Sequence, residues 1–276
     1  DGEGEGSFAS LVAGSSLGGE TVTVTDIRLQ SRSLTAADDS IQLNSTLQEA
    51  SIVVDDVASE SLTLEQVSVL LDSSQKESLL DAALRYDVKR LLVGEIDLGS
   101  LSVGGKVARF DFEALSALLA EYDAIADEHG AEEGEDFDLS PEDEARLLAK
   151  LVPALASSPQ LALQPVAWRN EKGETSLSLT VEMQPLAEGD AQAQEDALAD
   201  SLRELRFELA LSRPMLLQAV SQAAGGPEEG RQFEMFAAMM FDAYMGRLET
   251  QGLVSRDGDR ILSTIVYSQG EIDMNG

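Results

Sequence analysis

Apolar residues fall at every second position, between polar turns, in TVTVTDIRL (21–29), IQLNSTL (41–47) and SLTLEQVSVLLDSS (61–74). That period puts one side of a strand among apolar neighbours and the other in water. The clearest run follows, with Leu80, Ala82, Leu84, Tyr86 and Val88 alternating with Asp81, Ala83, Arg85, Asp87 and Lys89. LLVGEIDLGSLSVGGKV continues it with glycines where bends are expected. Parallel strands tend to be apolar on both faces, so this one-sided pattern predicts long antiparallel strands in a meander. Gly94, Gly99, Gly104 and Gly105 read as bends in a curved strand, because the G-x-G-x-x-G order of a phosphate cradle is missing.

At Asp111 the period changes to that of a helix. Phe112, Leu115, Leu118, Leu119, Tyr122 and Ile125 share one stripe, with Asp111 placed to cap the start and Gly130 to end it. A second helix is announced by Ser140 as N-cap, Pro141 in the first helical position and Asp143 where a capping-box acid belongs. Its stripe is Leu147, Leu148, Leu151 and Val152, and Pro153 is expected to bend or end it.

The segment LALQPVAWRNEKGETSLSLTVEMQP (161–185) reads as a hairpin whose apolar phase slips at Pro165. Proline cannot donate to a ladder, so the slip predicts a bulge. Gly173 is placed where a hairpin turn wants positive φ. Beyond the bulge, Val166 and Trp168 should join the face of Leu177, Leu179, Val181 and Met183. Another alternating strand carries Leu205, Phe207, Leu209 and Leu211. Two helical stretches follow, SRPMLLQAVSQAAGG with Ser212 as candidate N-cap, and PEEGRQFEMFAAMMFDAYMGRLETQG. Closing strands turn at Asp257-Gly258 and Gln269-Gly270. The expected fold is α+β: a long antiparallel, curved sheet with helices inserted between strand blocks. Its parts are 1–110, strand-rich; 111–160, helical with an acidic linker; and 161–276, mixed. All three can form one continuous domain.

Charge narrows the partners. Against 51 Asp and Glu stand 19 Lys and Arg, a formal net charge of -32, which repels phosphate backbones and anionic lipid surfaces. Nucleic acid is not an expected partner. Only five of the basic residues are lysines (Lys76, Lys89, Lys106, Lys150 and Lys172), a balance suited to high salt. A saline origin is therefore a hypothesis, checked by refolding across NaCl concentrations; stability that is flat or falls with salt would reject it. The chain has no cysteine, so disulfides and thiolate chemistry are absent from it. No apolar run is long enough to span a membrane, and the first residues carry no targeting segment.

The hairpin LALQPVAWRNEKGETSLSLTVEMQP, the closing VSRDGDRILSTIVYSQGEIDMNG and the passage VGEIDLGSLSVGGKVARFDFEALSALLAEY resemble the YdgA-like family, domain of unknown function 945, of Gram-negative envelope proteins. The resemblance covers residues 80–276. It implies a C-terminal portion of a longer protein, periplasmic and held at the inner membrane by an N-terminal anchor outside this chain. It brings no catalytic residue with it.

Few residues suggest chemistry of their own. Trp168, the single tryptophan, reads first as a packing residue of the hairpin and second as a stacking platform. His129, the single histidine, sits at a helix end where the dipole favours it, with no nucleophile-elbow motif to support a catalytic role. The acids Glu132, Glu133, Glu135, Asp136 and Asp138 lack EF-hand spacing and read as a solvated linker. No catalytic residue, cofactor site or metal site is expected. Phe233, Phe236, Met239, Met240 and Tyr244 spread over a wide helical face, which either fills an irregular core or lines an apolar groove against the sheet. The expected role is a non-enzymatic envelope protein acting by protein–protein interaction or self-association. The alternative is a lipid or amphiphile binder.

Overall fold

The computed structural model describes residues 2–14, 21–35, 41–55, 61–130, 138–185, 201–223 and 227–275. Among them are twelve strands and four helices. In chain order these are β1 (Gly2–Gly14), β2 (Thr21–Thr35), β3 (Ile41–Asp55), β4 (Leu62–Lys76), β5 (Leu79–Val93) and β6 (Ile96–Asp111), then α1 (Phe112–His129) and α2 (Pro141–Leu155). β7 (Gln160–Asn170), β8 (Gly173–Met183) and β9 (Leu202–Ser212) precede α3 (Arg213–Ala223) and α4 (Pro227–Thr250). The chain closes with β10 (Ser255–Asp257), β11 (Arg260–Ser268) and β12 (Glu271–Met274).

All strands join one antiparallel sheet in which β1 to β9 lie in chain order, followed by β11. β10 and β12 share the far side of β11, pairing with residues 260–262 and 265–268 respectively. The α+β sheet expected from the alternation is what the chain forms. It extends further than the alternation alone indicates: β2 and β3 keep one register from Thr21↔Asp55 to Thr35↔Ile41, interrupted between Thr25 and Arg28, through residues whose side chains do not alternate. Antiparallel neighbours satisfy each other's backbone groups whatever the side-chain pattern, so pairing runs on to the turns.

The two helical insertions are local in origin. Asp111 accepts from Glu113 N and Ala114 N, and Gly130 takes a left-handed conformation at φ 67° to end α1. The Ser140/Asp143 capping box opens α2, which runs two residues past Pro153 before stopping. Arg146 ties the pair together, reaching Glu121 and Glu128 at 2.8 Å each. The acids Glu132, Glu133, Glu135 and Asp136, and the acidic loop at 187–196, lie outside the described residues.

α3 packs against β6, β8 and β9 at one end of the sheet, and α1 and α2 touch β6. Much of the sheet surface between them is left without a second layer. Among the described residues no helix is long and apolar enough to cross a membrane.

Candidate functional site

Cross-strand partners point to the same face of a sheet, so the register itself lists the residues that line it. One row runs Leu71, Leu84, Gly105, Leu163, Leu179, Phe207, Ile265, Met274 across β4 to β12. Beside it runs Ala82, Val107, Leu161, Val181, Leu205, Tyr267, Ile272. On the other side run Val69, Tyr86, Val103, Val166, Leu177, Leu209. Three adjacent rows are thus almost wholly apolar.

Keeping those rows aligned depends on the slip at Pro165. Val103 and Gly105 are two residues apart on β6, and Leu177 and Leu179 two apart on β8, but their β7 partners Val166 and Leu163 are three apart. β7 therefore carries the expected bulge, and the apolar phase resumes beyond it. Gly104 faces the bulge closely: a Cβ there would lie 2.7 Å from the carbonyl oxygen of Gln164. Only glycine fits.

At one end the apolar face is closed. Val67 and Val88 are fully buried against Leu64, Tyr86 and Leu101. The next partner along that row is Trp168, paired with Leu101 on one side and Thr175 on the other. Trp168 is half-buried and its indole N–H donates to the carbonyl oxygen of Leu98 at 2.6 Å, so its polar edge is satisfied as the hairpin reading required. α3 completes this end: Met215 is fully buried, and its carbonyl accepts from Asn170 Nδ2 at 3.4 Å. Gly173 has φ 153°, and a Cβ on it would sit 2.3 Å from Ser212 Oγ. Its glycine therefore serves the approach of the strand-to-helix corner as well as the turn, which the hairpin pattern alone does not reveal.

Further along, the same face is open. A trough of about 450 Å³ crosses β4 to β8 over Leu71, Leu84, Leu161, Leu163, Leu179 and Val181. Leu84 is 51% exposed and Leu163 40%. Gly105 lies in the floor between them, and a Cβ there would meet nothing nearer than the carbonyl oxygen of Ala162 at 3.8 Å. The missing side chain deepens the trough.

The opposite face is polar and ionic. Arg85 bonds Asp87 at 2.8 Å, Arg90 bonds Asp97 at 2.7 Å, and Arg169 pairs with Glu174. The Arg90 guanidinium holds the Asp97 carboxyl below the usual range, helped by the Gly99 N–H.

The five residues singled out on the Met-rich helix stand elsewhere. Phe233, Phe236, Met239, Met240 and Tyr244 are each more than half exposed on α4, which packs against α3. Arg213 holds α4 by a two-point contact to Asp242 at 2.9 and 2.8 Å. The apolar concavity belongs to the sheet's own face. No single stretch of sequence could reveal it, because its lining comes from five strands brought into register.

His129 Nε2 lies 3.0 Å from Asp143 Oδ2, and the same oxygen accepts from Ser140 Oγ at 2.6 Å. These bonds, that from Ser140 first and that from His129 second, hold the Asp143 carboxyl down at about 2. Ser140 is the N-cap of α2 itself, so of the two it is the His129 contact that crosses from α1 and clasps α1 to α2. A second apolar hollow, of about 500 Å³, opens between those helices over Leu118, Leu119, Tyr122, Leu147, Leu148 and Leu151.

Comparison with known proteins adds kinship. The family model described as a bacterial protein of unknown function (DUF945) matches residues 1–276. No curated protein and no solved structure matches the chain.

Proposed function

The chain belongs to the bacterial family of unknown function DUF945, and from that premise we propose that it binds the hydrocarbon part of an amphiphile in the open trough of its sheet. The observation that carries this reading is the contrast within one apolar face: rows of aliphatic side chains close over themselves near Trp168 and are exposed at Leu84, Leu161 and Leu163. Exposed apolar surface of this extent marks a binding surface more often than an accident. Its volume, about 450 Å³, suits a small ligand.

The trough walls supply methyl and methylene groups, so the fitting ligand is one that asks for no hydrogen bonds, an acyl chain. Burying about ten methylenes at about 0.8 kcal/mol each supplies about 8 kcal/mol, of which association and ordering of the chain consume several kcal/mol, so the affinity falls between millimolar and micromolar. The net charge of -32 disfavours an anionic head group near the trough. A neutral one, as in a monoacylglycerol, is the better fit. The periplasmic address and inner-membrane anchor implied by the family resemblance belong to the same proposal, since they would set the trough beside a source of such chains.

The test is a fluorescence titration of lipid-stripped protein with a pyrene-labelled monoacylglycerol. Saturable binding at submillimolar concentrations is expected, with loss in a Gly105→Leu variant that fills the trough floor and keeps the parent's unfolding midpoint. Absence of saturable binding by the parent chain, or full binding by Gly105→Leu, would reject the proposal.

A further inference from the structure

The trough has a direction and a length. Its lining comes from two neighbouring rows of the sheet, one running from Leu71 through Gly105 to Leu179 and the other from Ala82 through Leu161 to Val181. No strand slips register between the two rows, so the furrow they enclose is unbroken. Its long axis crosses the strands from β4 to β8, four spacings of about 4.8 Å or about 19 Å in all. Along the strands the rows are two residues, about 6.8 Å, apart. A volume of about 450 Å³ over that length leaves a cross-section of about 24 Å². A hydrocarbon chain held about 4.5 Å from its neighbours takes about 20 Å². One chain fills the trough, and a second has no room.

We propose that the trough is a ruler: it seats one acyl chain across the strands, with the methyl end toward β9, and selects chains of about 15 carbons. The proposal rests on the amphiphile reading above and adds to it the number, length and direction of the chain. An extended chain, with bonds of about 1.5 Å meeting at about 111°, advances about 1.25 Å per carbon, so about 19 Å takes about 15 carbons. The trough is open above, so each methylene leaves water only in part, in keeping with the equivalent of about ten buried ones. Phe207 is the stop at the far end. It follows Leu179 in its row and is the first residue there bulkier than leucine, and no residue of β9 lines the trough. Past it the row stays apolar through Ile265 to Met274, so a polar head group finds no side chain to bond at that end. The head group therefore leaves at Leu71, on β4.

Equilibrium dialysis of the 276-residue chain tests this, against an equal mixture of saturated monoacylglycerols of about 8 to 20 carbons held in cyclodextrin, with the chains on the protein side read by mass spectrometry. The ratio of variant to parent at each length cancels the pull of the cyclodextrin. Leu179→Trp moves the stop inward by one strand, about 4.8 Å or about four carbons. It should hold chains of about 8 to 10 carbons as the parent does and those of about 14 roughly tenfold less, at about twofold per methylene. Phe207→Ala moves the stop outward, and should match the parent up to about 15 carbons and hold those of about 18 roughly eightfold better. Damage to the fold would lower every length alike, and would not produce opposite shifts. Retention of no chain by the parent would defeat the trough reading itself, and the ruler with it. Retention by the parent with a ratio independent of length in either variant would leave the trough reading standing and overturn the ruler.

Discussion

Val88 and Leu84 stand four residues apart on β5 and face the same way, yet Val88 is 1% exposed and Leu84 is 51%. The backbone and the alternation are the same at both. What differs is the company: Val88 lies in the row that leads through Leu101 to Trp168, near the end that α3 covers, and Leu84 lies in the row that forms the open trough. A sheet of this kind is stabilised where a second layer touches it and merely tolerated elsewhere. Burial on one stretch can hold the register of a strand along its whole length, because pairing is continuous. The bare stretch is then free to be apolar without being packed.

Replacing side chains at the two ends should expose that division. Trp168→Ala is expected to cost about 3 kcal/mol, with loss of packing and of the indole bond to Leu98, read as a lowered midpoint in urea. Leu163→Ala removes a side chain that is 40% exposed and leaves no closed cavity, and should cost about 1 kcal/mol. Equal losses at the two positions would mean that the trough is packed in solution and the comparison false.

Acid should sharpen the same comparison at the helical insertion. Asp143 is depressed from 3.8 to about 2 in the folded chain, so its contribution to stability is complete above about pH 4 and is lost as pH falls toward 2. The clasp to His129 and Ser140 should loosen in that window. Trp168 is the single tryptophan, and the Asp97 carboxyl beside its partner Leu98 is held below the usual range by Arg90, so the indole fluorescence and the NMR resonances of α1 and α2 should change with acid at separate midpoints. Coincident changes would show that the two regions do not act separately.

Much of the fold was legible because one face of each strand is wet: Leu80 to Val88 announce a strand, Asp111 and Ser140 announce helices, and the slip at Pro165 announces a bulge. Trp168 could be assigned to the face of Leu177 for the same reason, since its partners on the hairpin lie close in sequence. Gly173 could be read only in part, because Ser212, the atom that demands a glycine there, arrives from a distant corner. The trough was hidden more deeply. Periodicity tells which residues share a face, but nothing local tells whether another layer will come to cover it. The same limit applied to α4, where Phe233 to Tyr244 look like a core stripe until their exposure is known.

The order of the strands governs how the molecule yields to a pull. β1 and β12 occupy opposite sides of the sheet, and neighbouring strands lie about 4.8 Å apart. Tension between the two termini therefore runs across the strands and loads the backbone bonds in turn, never all at once in shear. The sheet should open as a zip does, one hairpin at a time, at low force and in steps. A sudden load on either terminus would be spent on lengthening the chain while the strands not yet reached keep their places.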